Sequence, residues 1–294
     1  MLSVLIPTYN YDISALIAEL HQQLIKTKKA FEILVLEDGS TKDINDNSTL
    51  SHTTIIVNKN NNGRVKARQL LAEKAQYDWL LFLDADVAPK NETFIAQYLK
   101  AIDSNNDAVF GGFTYHDTKP EDSYLLRWTY GKTKEEIPAN IRNKKKYKVI
   151  ISANFLIKKT VFLTINSEIP TSKGYGFDNY FGTFLKLKAI SVLHIDNEVY
   201  HLGIEKSDTY LRKKEQAALT LLKLYNKNNS ISSDNDLLNL FMTLKRWKLA
   251  GIFSSIHQWL KVAMKNNLLG KKPSIKILQL YRISFMCNSY KPKE

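Results

Sequence analysis

The chain has 294 residues, 44% hydrophobic and 24% charged, which suits one large domain or one domain with an appendage. Its single cysteine, Cys287, excludes an internal disulfide and a cysteine-cluster metal site. No apolar run approaches the ~20 residues that span a bilayer. MLSVLIPTYN has no basic stretch ahead of its apolar residues, so it does not read as a signal peptide, and a cytoplasmic protein is expected. Net charge is +13, and its excess is concentrated late in the chain: from residue 235 onward eleven Lys and Arg residues face only Asp236 and Glu294. Such a tail meets nucleic acid, an anionic membrane or another polyanion, or is a solvated helical surface.

In chain order, residues 2–6 read as a short apolar strand closed by Pro7, with Thr8, Tyr9 and Asn10 in a polar loop. A helix follows, with Leu16, Ile17, Leu20 and Leu24 on its inner face and Asp12 or Ser14 at its cap. Residues 31–36 form a second buried strand, ended by EDGS at 37–40, and residues 55–57 a third. NKNNNG then opens a helix over 64–75, and WLLFLDADV at 79–87 is the fourth strand. Strand and helix in alternation predict a mainly parallel sheet with right-handed crossovers. Residues 108–115, 149–157 and 189–195 read as further strands. Residues 117–148 mix Pro, Lys and Glu and read as irregular. Beyond 206 the pattern is helical, over 210–225, 236–247 and 252–265.

Each early strand ends in a polar loop, and in a parallel sheet such loops gather at one edge, where ligands bind. Asp84 and Asp86 stand one residue apart at the end of the most apolar strand. In an extended segment they point the same way, and two hard oxygen donors suit Mg²⁺ or Mn²⁺. The competing reading is a strand followed by an Asp-rich turn. Asp38 can accept from a base N–H, with Gly39 letting the chain turn. Tyr9 can stack on a base. Arg64 and Arg68, at i and i+4, can reach ribose or phosphate. Each also has a plain explanation, as a turn pair, a surface aromatic and a solvated helix face.

IPTYN, EDGS, NNGRVKAR and LFLDADV, in this order and spacing, resemble glycosyltransferase family 2 with the GT-A fold. The resemblance covers roughly residues 2–205. It implies an α/β GT-A catalytic domain over 1–205, a Rossmann-like, mainly parallel sheet flanked by helices, with a basic helical C-terminal extension over 206–294. It places the donor among Pro7, Thr8, Tyr9, Asn10, Asp38, Gly39, Gly63, Arg64, Arg68, Asp84, Ala85 and Asp86. GYGFDNYFG at 174–182 resembles the family's glutamate-aspartate segment, with Asp178 at the aspartate, the catalytic base; Phe177 stands where an acidic residue is usual. EVYHLG at 198–203 resembles the segment supplying a late metal-binding histidine, His201. The cation, Mn²⁺ or Mg²⁺, would be held by Asp86 and His201, with Asp84 on the ribose or on the metal's waters.

The implied activity is bacterial: inverting transfer from a nucleotide-sugar donor, a UDP-sugar foremost, to a hydroxyl of a glycan or lipid-linked acceptor in surface polysaccharide synthesis. The implied setting is the cytoplasm, or peripherally the inner face of the cell membrane. A sugar-nucleotide pyrophosphorylase would carry a glycine-rich first loop with a basic residue, where this chain has PTYN, and a dinucleotide oxidoreductase needs a G-x-G-x-x-G that is missing here. The alternative of another class is a non-enzymatic binder of nucleic acid or another polyanion. Basic charge with Trp247 and Trp259 favours it. The paired carboxylates oppose it, and no nucleic-acid partner is expected. In the tail, Phe241, Leu244, Trp247, Ile252, Ile256, Trp259, Leu260 and Ala263 recur at helical spacing, with Lys245, Lys248, Lys261 and Lys265 mostly between them. That pattern is either an interfacial membrane helix or a stripe packed on the fold.

Overall fold

The computed structural model describes residues 1–41, 50–171, 174–227 and 233–291. In chain order its strands and α-helices are β1 (Leu2–Thr8), α1 (Ser14–Lys26), β2 (Phe31–Asp38), β3 (Thr53–Asn58), α2 (Arg64–Lys74), β4 (Trp79–Leu83), β5 (Val87–Pro89), α3 (Phe94–Ile102), β6 (Ala108–Phe110) and β7 (Phe113–Thr114). There follow α4 (Leu125–Tyr130), α5 (Ala139–Arg142), β8 (Asn154–Lys158), α6 (Lys159–Asn166), α7 (Asp178–Leu187), β9 (Val192–His194) and β10 (Val199–His201). The chain closes with α8 (Ser207–Lys227), α9 (Asp236–Arg246), α10 (Ala250–Leu268) and α11 (Ile275–Ser289).

Two compact units result. The first comprises Met1–Thr114, Glu136–Lys173 and Lys188–Gly203. It holds a seven-stranded sheet in the order β3-β2-β1-β4-β8-β6-β9 and a three-stranded sheet in the order β5-β10-β7. The expected parallel crossovers are present: β1 pairs in parallel with β2 and with β4, and β2 with β3. In the seven-stranded sheet β8 runs against its neighbours β4 and β6, and in the three-stranded sheet β10 runs against β5. The runs LSVLIPT, FEILVLED and WLLFL are apolar on both faces because helices cover them. Ile17, Leu20 and Leu24 of α1 close on Val4, Ile33 and Val35 from one side. The strand order turns back between β1 and β4, which creates the switch point where α/β sheets bind ligands.

The second unit comprises Tyr115–Glu135, Gly174–Leu187 and Ile204–Glu294. Its core joins Leu126, Tyr210 and Leu211 to Met264, Leu268, Leu278 and Tyr281. Among the described residues no helix is long and apolar enough to cross a membrane.

Several elements differ from the sequence expectation. The region expected to be irregular, 117–148, is a chain of short helices: a 3₁₀ turn at Asp122–Tyr124, then α4, a π turn at Gly131–Glu135, and α5. Buried arginines organise it. Arg127 Nη2 donates to Glu135 at 3.0 Å and to the Tyr115 hydroxyl at 2.8 Å, and Arg142 donates to the carbonyls of Ile137, Phe110 and Ile195. The strand expected over 108–115 breaks at Gly111–Gly112 and continues in the other sheet. The helix α11 was not foreseen. Its buried side chains (Leu278, Tyr281, Ile283, Ser284, Met286 and Cys287) are spread around it, so no single apolar stripe marks it in the sequence.

Candidate functional site

The first unit carries an open cleft of about 230 Å³, lined by Pro7, Thr8, Tyr9, Tyr11, Asp38, Asn61, Gly63, Arg64, Ala67, Asp84, Ala85 and Asp86. These residues come from the last positions of β1 and β2, from the loops that follow β1, β3 and β4, and from the first turns of α2, at the carboxyl ends of four neighbouring strands.

The floor is built by hydrogen bonds between these loops. Thr8 is buried, and its hydroxyl donates to the Tyr11 carbonyl at 3.1 Å. The Asn10 amide N–H donates to the Ser40 hydroxyl at 2.6 Å, and the Asn10 side-chain oxygen accepts from the Thr41 N–H at 2.9 Å. Asn10 therefore ties the first loop to the second and does not line the cleft. Asp38 ends β2 with its carboxylate already engaged: it accepts from Asn58 Nδ2 at 3.0 Å and from the backbone N–H groups of Asn62 and Gly63 at 2.9 and 2.8 Å. It thus orders the approach to α2 while keeping an edge on the cleft. Gly39 also stands behind the cleft. Its φ is +77°, and a Cβ there would lie 2.5 Å from the Asn61 nitrogen, so both the turn and the close approach require glycine.

The two carboxylates of the DAD segment part company. The sequence reading put them in an extended stretch, on one side; in the structure β4 ends at Leu83, residues 85–86 form a turn, and β5 begins at Val87. The reason is that β5 pairs with β10 in the second sheet, so the chain must bend between the two. Asp84 is held by arginines: Arg68 Nη2 donates to its Oδ1 at 2.7 Å, and Arg64 Nη2 lies 3.5 Å from its Oδ2. Burial opposes ionisation of Asp84, yet the two guanidinium groups outweigh it and hold the carboxyl below the usual carboxylate range. Arg68 is buried and also donates to the Ser152 carbonyl at 2.6 Å. The expectation that both arginines reach the ligand is thus divided: Arg64 lines the cleft, and Arg68 braces it from beneath.

Asp86 lines the same cleft but has a different partner. Its Oδ2 lies 3.7 Å from His201 Nε2, and its carbonyl accepts from the Leu202 N–H at 2.8 Å. His201 ends β10, directly opposite Val87 in the ladder, and meets the Phe113 ring edge-on at 5.2 Å. A Cβ on Gly203 would collide with the Asp86 carboxylate, so glycine makes room for it. Among the described residues no group of three or more His, Cys, Asp or Glu side chains gathers around one point. The Asp86–His201 pair could offer one oxygen and one nitrogen to a divalent cation whose shell phosphate oxygens and waters would complete.

Asp178 opens α7 in the second unit, partly exposed. The turn before it is fixed by Asn179 Nδ2, which donates to the Gly176 carbonyl at 2.9 Å. Three cleft residues escaped the sequence reading: Tyr11, Asn61 and Ala67. Ala67 lies one turn beyond Arg64 on the same face, and helical spacing from Arg64 was the available signal. The Tyr11 phenol is pushed up by burial and then by the carboxylates of Asp86 and Asp12.

Comparison with known proteins agrees with this architecture. The profile of Glycosyl transferase family 2 matches residues 3–165, more than half of the chain. The chain belongs to glycosyltransferase family 2. An uncharacterized glycosyltransferase of Haemophilus influenzae is 33% identical over 124 residues, which is 41% of this chain and 40% of that protein. One from Rickettsia conorii is 33% identical over 127 residues, 42% of this chain and 20% of the relative. The chain therefore spans well under two thirds of these relatives. Among solved structures, a mannosyltransferase from Pyrobaculum calidifontis in complex with GDP-Man and Mn²⁺ is similar at a TM-score of 0.58 and 15% identity, over 97% of this chain and 85% of that one. Glucosyl-3-phosphoglycerate synthase from Mycobacterium tuberculosis, solved with Mn²⁺, UDP and glucosyl-3-phosphoglycerate, is similar at a TM-score of 0.52 and 15% identity, over 75% and 78% of the two chains. At such identities the likeness concerns the fold, and the expected GT-A class, a mainly parallel sheet with flanking and C-terminal helices, is the one found.

Proposed function

We propose that this family 2 member transfers a sugar, with inversion, from a nucleoside-diphosphate donor to a hydroxyl of a glycan or lipid-linked acceptor. The donor is a UDP-sugar, and the setting is bacterial surface polysaccharide synthesis at the inner face of the membrane. The observation that carries the reading is the convergence of Asp38, Arg64, Asp84 and Asp86 in one cleft at the sheet's switch point. The mannosyltransferase and the synthase of similar fold were solved with nucleotides and Mn²⁺, which supports a nucleotide and a cation here.

In this reading Tyr9 stacks on the base, and the edge of Asp38 accepts a base N–H. Arg64 reaches the phosphates, and Asp84 meets the ribose while Arg68 holds it in place. Asp86 and His201 hold a divalent cation, Mn²⁺ or Mg²⁺, which would supply charge neutralisation for the diphosphate. Asp178 accepts the acceptor's hydroxyl proton as that oxygen forms a bond to the anomeric carbon. The bond from that carbon to the diphosphate breaks, and its electron pair leaves on the diphosphate oxygen. Residues 1–205 then constitute the catalytic domain and 206–294 a basic helical extension.

A screen of UDP-, GDP- and other nucleotide sugars by thermal shift, with Mn²⁺ present, tests the proposal. A ligand at a hundredfold excess over its dissociation constant should stabilise the fold by about 2.7 kcal/mol. A UDP-sugar is expected to give the largest shift. No shift from any nucleoside diphosphate would overturn the proposal.

A further inference from the structure

Of the stripe noted in the C-terminal sequence, Phe241 and Leu244 are buried on α9, whereas the part on α10 is not the side on which that helix packs. In α10, His257, Met264 and Leu268 are the buried residues. They face α11: the His257 ring lies 5.2 Å from that of Tyr281 and its Nδ1 3.2 Å from the Ser284 hydroxyl, while Met264 and Leu268 join Leu278 in the unit's core. Ile252, Ile256, Trp259 and Ala263 follow i, i+4, i+7 and i+11 and so share the opposite face. Trp259 is 83% exposed, Val262 71% and Ile252 58%; Trp247, just before the helix, is 67% exposed. A helix that already has a packed side thus presents a second apolar side to solvent.

The charge carried by this stretch of sequence is of one sign, and two of its lysines meet carboxylates from elsewhere in the unit: Lys265 lies 3.6 Å from Glu215 and Lys271 3.9 Å from Asp122. Between Asp236 and Glu294 the sequence has no acidic residue. Arg246 and Lys248 precede α10, and Lys271, Lys272 and Lys276 follow it, all exposed. Exposed tryptophan on an apolar helix face, with an excess of cations at both ends, complements an anionic lipid surface: the rings enter the headgroup boundary and the unpaired excess of lysines meets phosphates.

We infer that the outward face of α10 is an interfacial membrane-docking surface selective for anionic lipid, with Trp259, Val262 and Ile252 inserting and the flanking lysines holding the headgroups. The inference deepens the proposed work at the inner membrane face and rests on that reading only for the purpose of the docking. The lipid contact itself is separate from the nucleotide cleft.

The test is co-sedimentation of the full chain with vesicles of phosphatidylcholine alone, or mixed with phosphatidylglycerol, at low and high salt. Binding is expected to the mixed vesicles at low salt, with little to the neutral ones. Lys272→Gln with Lys276→Gln should weaken it about 25-fold, about fivefold for each lysine. Trp259→Ser with Val262→Ser should weaken it at least tenfold while leaving the melting temperature unchanged, because both side chains are exposed. UDP-induced stabilisation of each variant, read in parallel, should equal that of the parent, so a failed nucleotide reading and a failed lipid reading are told apart. Absence of binding to anionic vesicles, or binding that the Trp259 and Val262 changes leave intact, would overturn the inference. So would a dimer in analytical ultracentrifugation that those changes dissolve, since the face would then belong to a second copy.

Discussion

Replacing Arg68 by methionine removes a buried cation while keeping most of its apolar stem. Arg68 donates to Asp84 Oδ1 at 2.7 Å and to the Ser152 carbonyl at 2.6 Å, and its guanidinium lies 5.9 Å over the Phe155 ring. Removing one partner of a buried pair typically costs about 3–5 kcal/mol, because the other charge is left without compensation. Arg64, 3.5 Å from the other Asp84 oxygen, keeps part of that compensation, so a loss near ~3 kcal/mol is expected. Asp84→Asn should cost about 2 kcal/mol through the weakened charge-assisted bond. The double variant should lose at least ~1 kcal/mol less than the sum, since the two groups act on each other. The Arg68 contribution follows Asp84 ionisation. The folded carboxyl is held below its unfolded value of about 3.9, so the contribution is full above that value and disappears as pH falls through the lower, folded one. Urea unfolding at neutral pH, with unchanged m, is the assay. A loss under about 0.5 kcal/mol for Arg68→Met, the level of a surface substitution, or strict additivity in the double variant, would refute the bracing role.

His194 is expected to make stability fall on mild acidification. Its Nδ1 accepts from Arg142 Nη1 at 2.9 Å and its Nε2–H donates to the Lys146 carbonyl at 2.8 Å, and burial pushes its pKa down to about 4. Since the unfolded imidazole titrates near 6.5, this contribution is full above that pH and is lost as pH drops toward 4, by up to ~3 kcal/mol; His194→Gln should flatten urea midpoints measured across that window. Gly39→Ala should cost about 2–3 kcal/mol in thermal unfolding, from its left-handed backbone and the 2.5 Å approach of the new Cβ to the Asn61 nitrogen. Asp178→Asn should leave nucleotide binding intact and lower transfer by roughly 10²–10⁴-fold in a product assay; transfer near the parent rate would remove Asp178 from the base role.

The sheet was legible because unbroken apolar runs ending in polar loops leave few alternatives. LSVLI, FEILVL and WLLFL each became a strand in parallel register, and the loops after them met at one edge. Local sequence could not show which way each loop side chain turns. Asp84 and Asp86 look equivalent as letters, yet one pairs with arginines from α2 and the other faces a histidine from β10, both distant in sequence. Arg64 and Arg68 share a helix face, but only depth in the fold separates a cleft residue from a buried brace. The helices of 122–142 were hidden for the same reason: they are ordered by Arg127 and Arg142, whose partners include Glu135 and the Ile195 carbonyl. In the tail, helical spacing revealed the stripe on α10, whereas its outward direction depends on α11 lying against the other side.

Calorimetric titration of UDP into the full chain, with Mn²⁺ and then with EDTA, addresses the cation-assisted donor site most directly, repeated with Asp86→Ala and His201→Ala. Binding is expected to depend on Mn²⁺ in the parent, to lose that dependence in Asp86→Ala and to show a weaker one in His201→Ala, with all three proteins unfolding at similar temperatures. Equal affinity in EDTA and in Mn²⁺, or a Mn²⁺ dependence that survives Asp86→Ala unchanged, would contradict it.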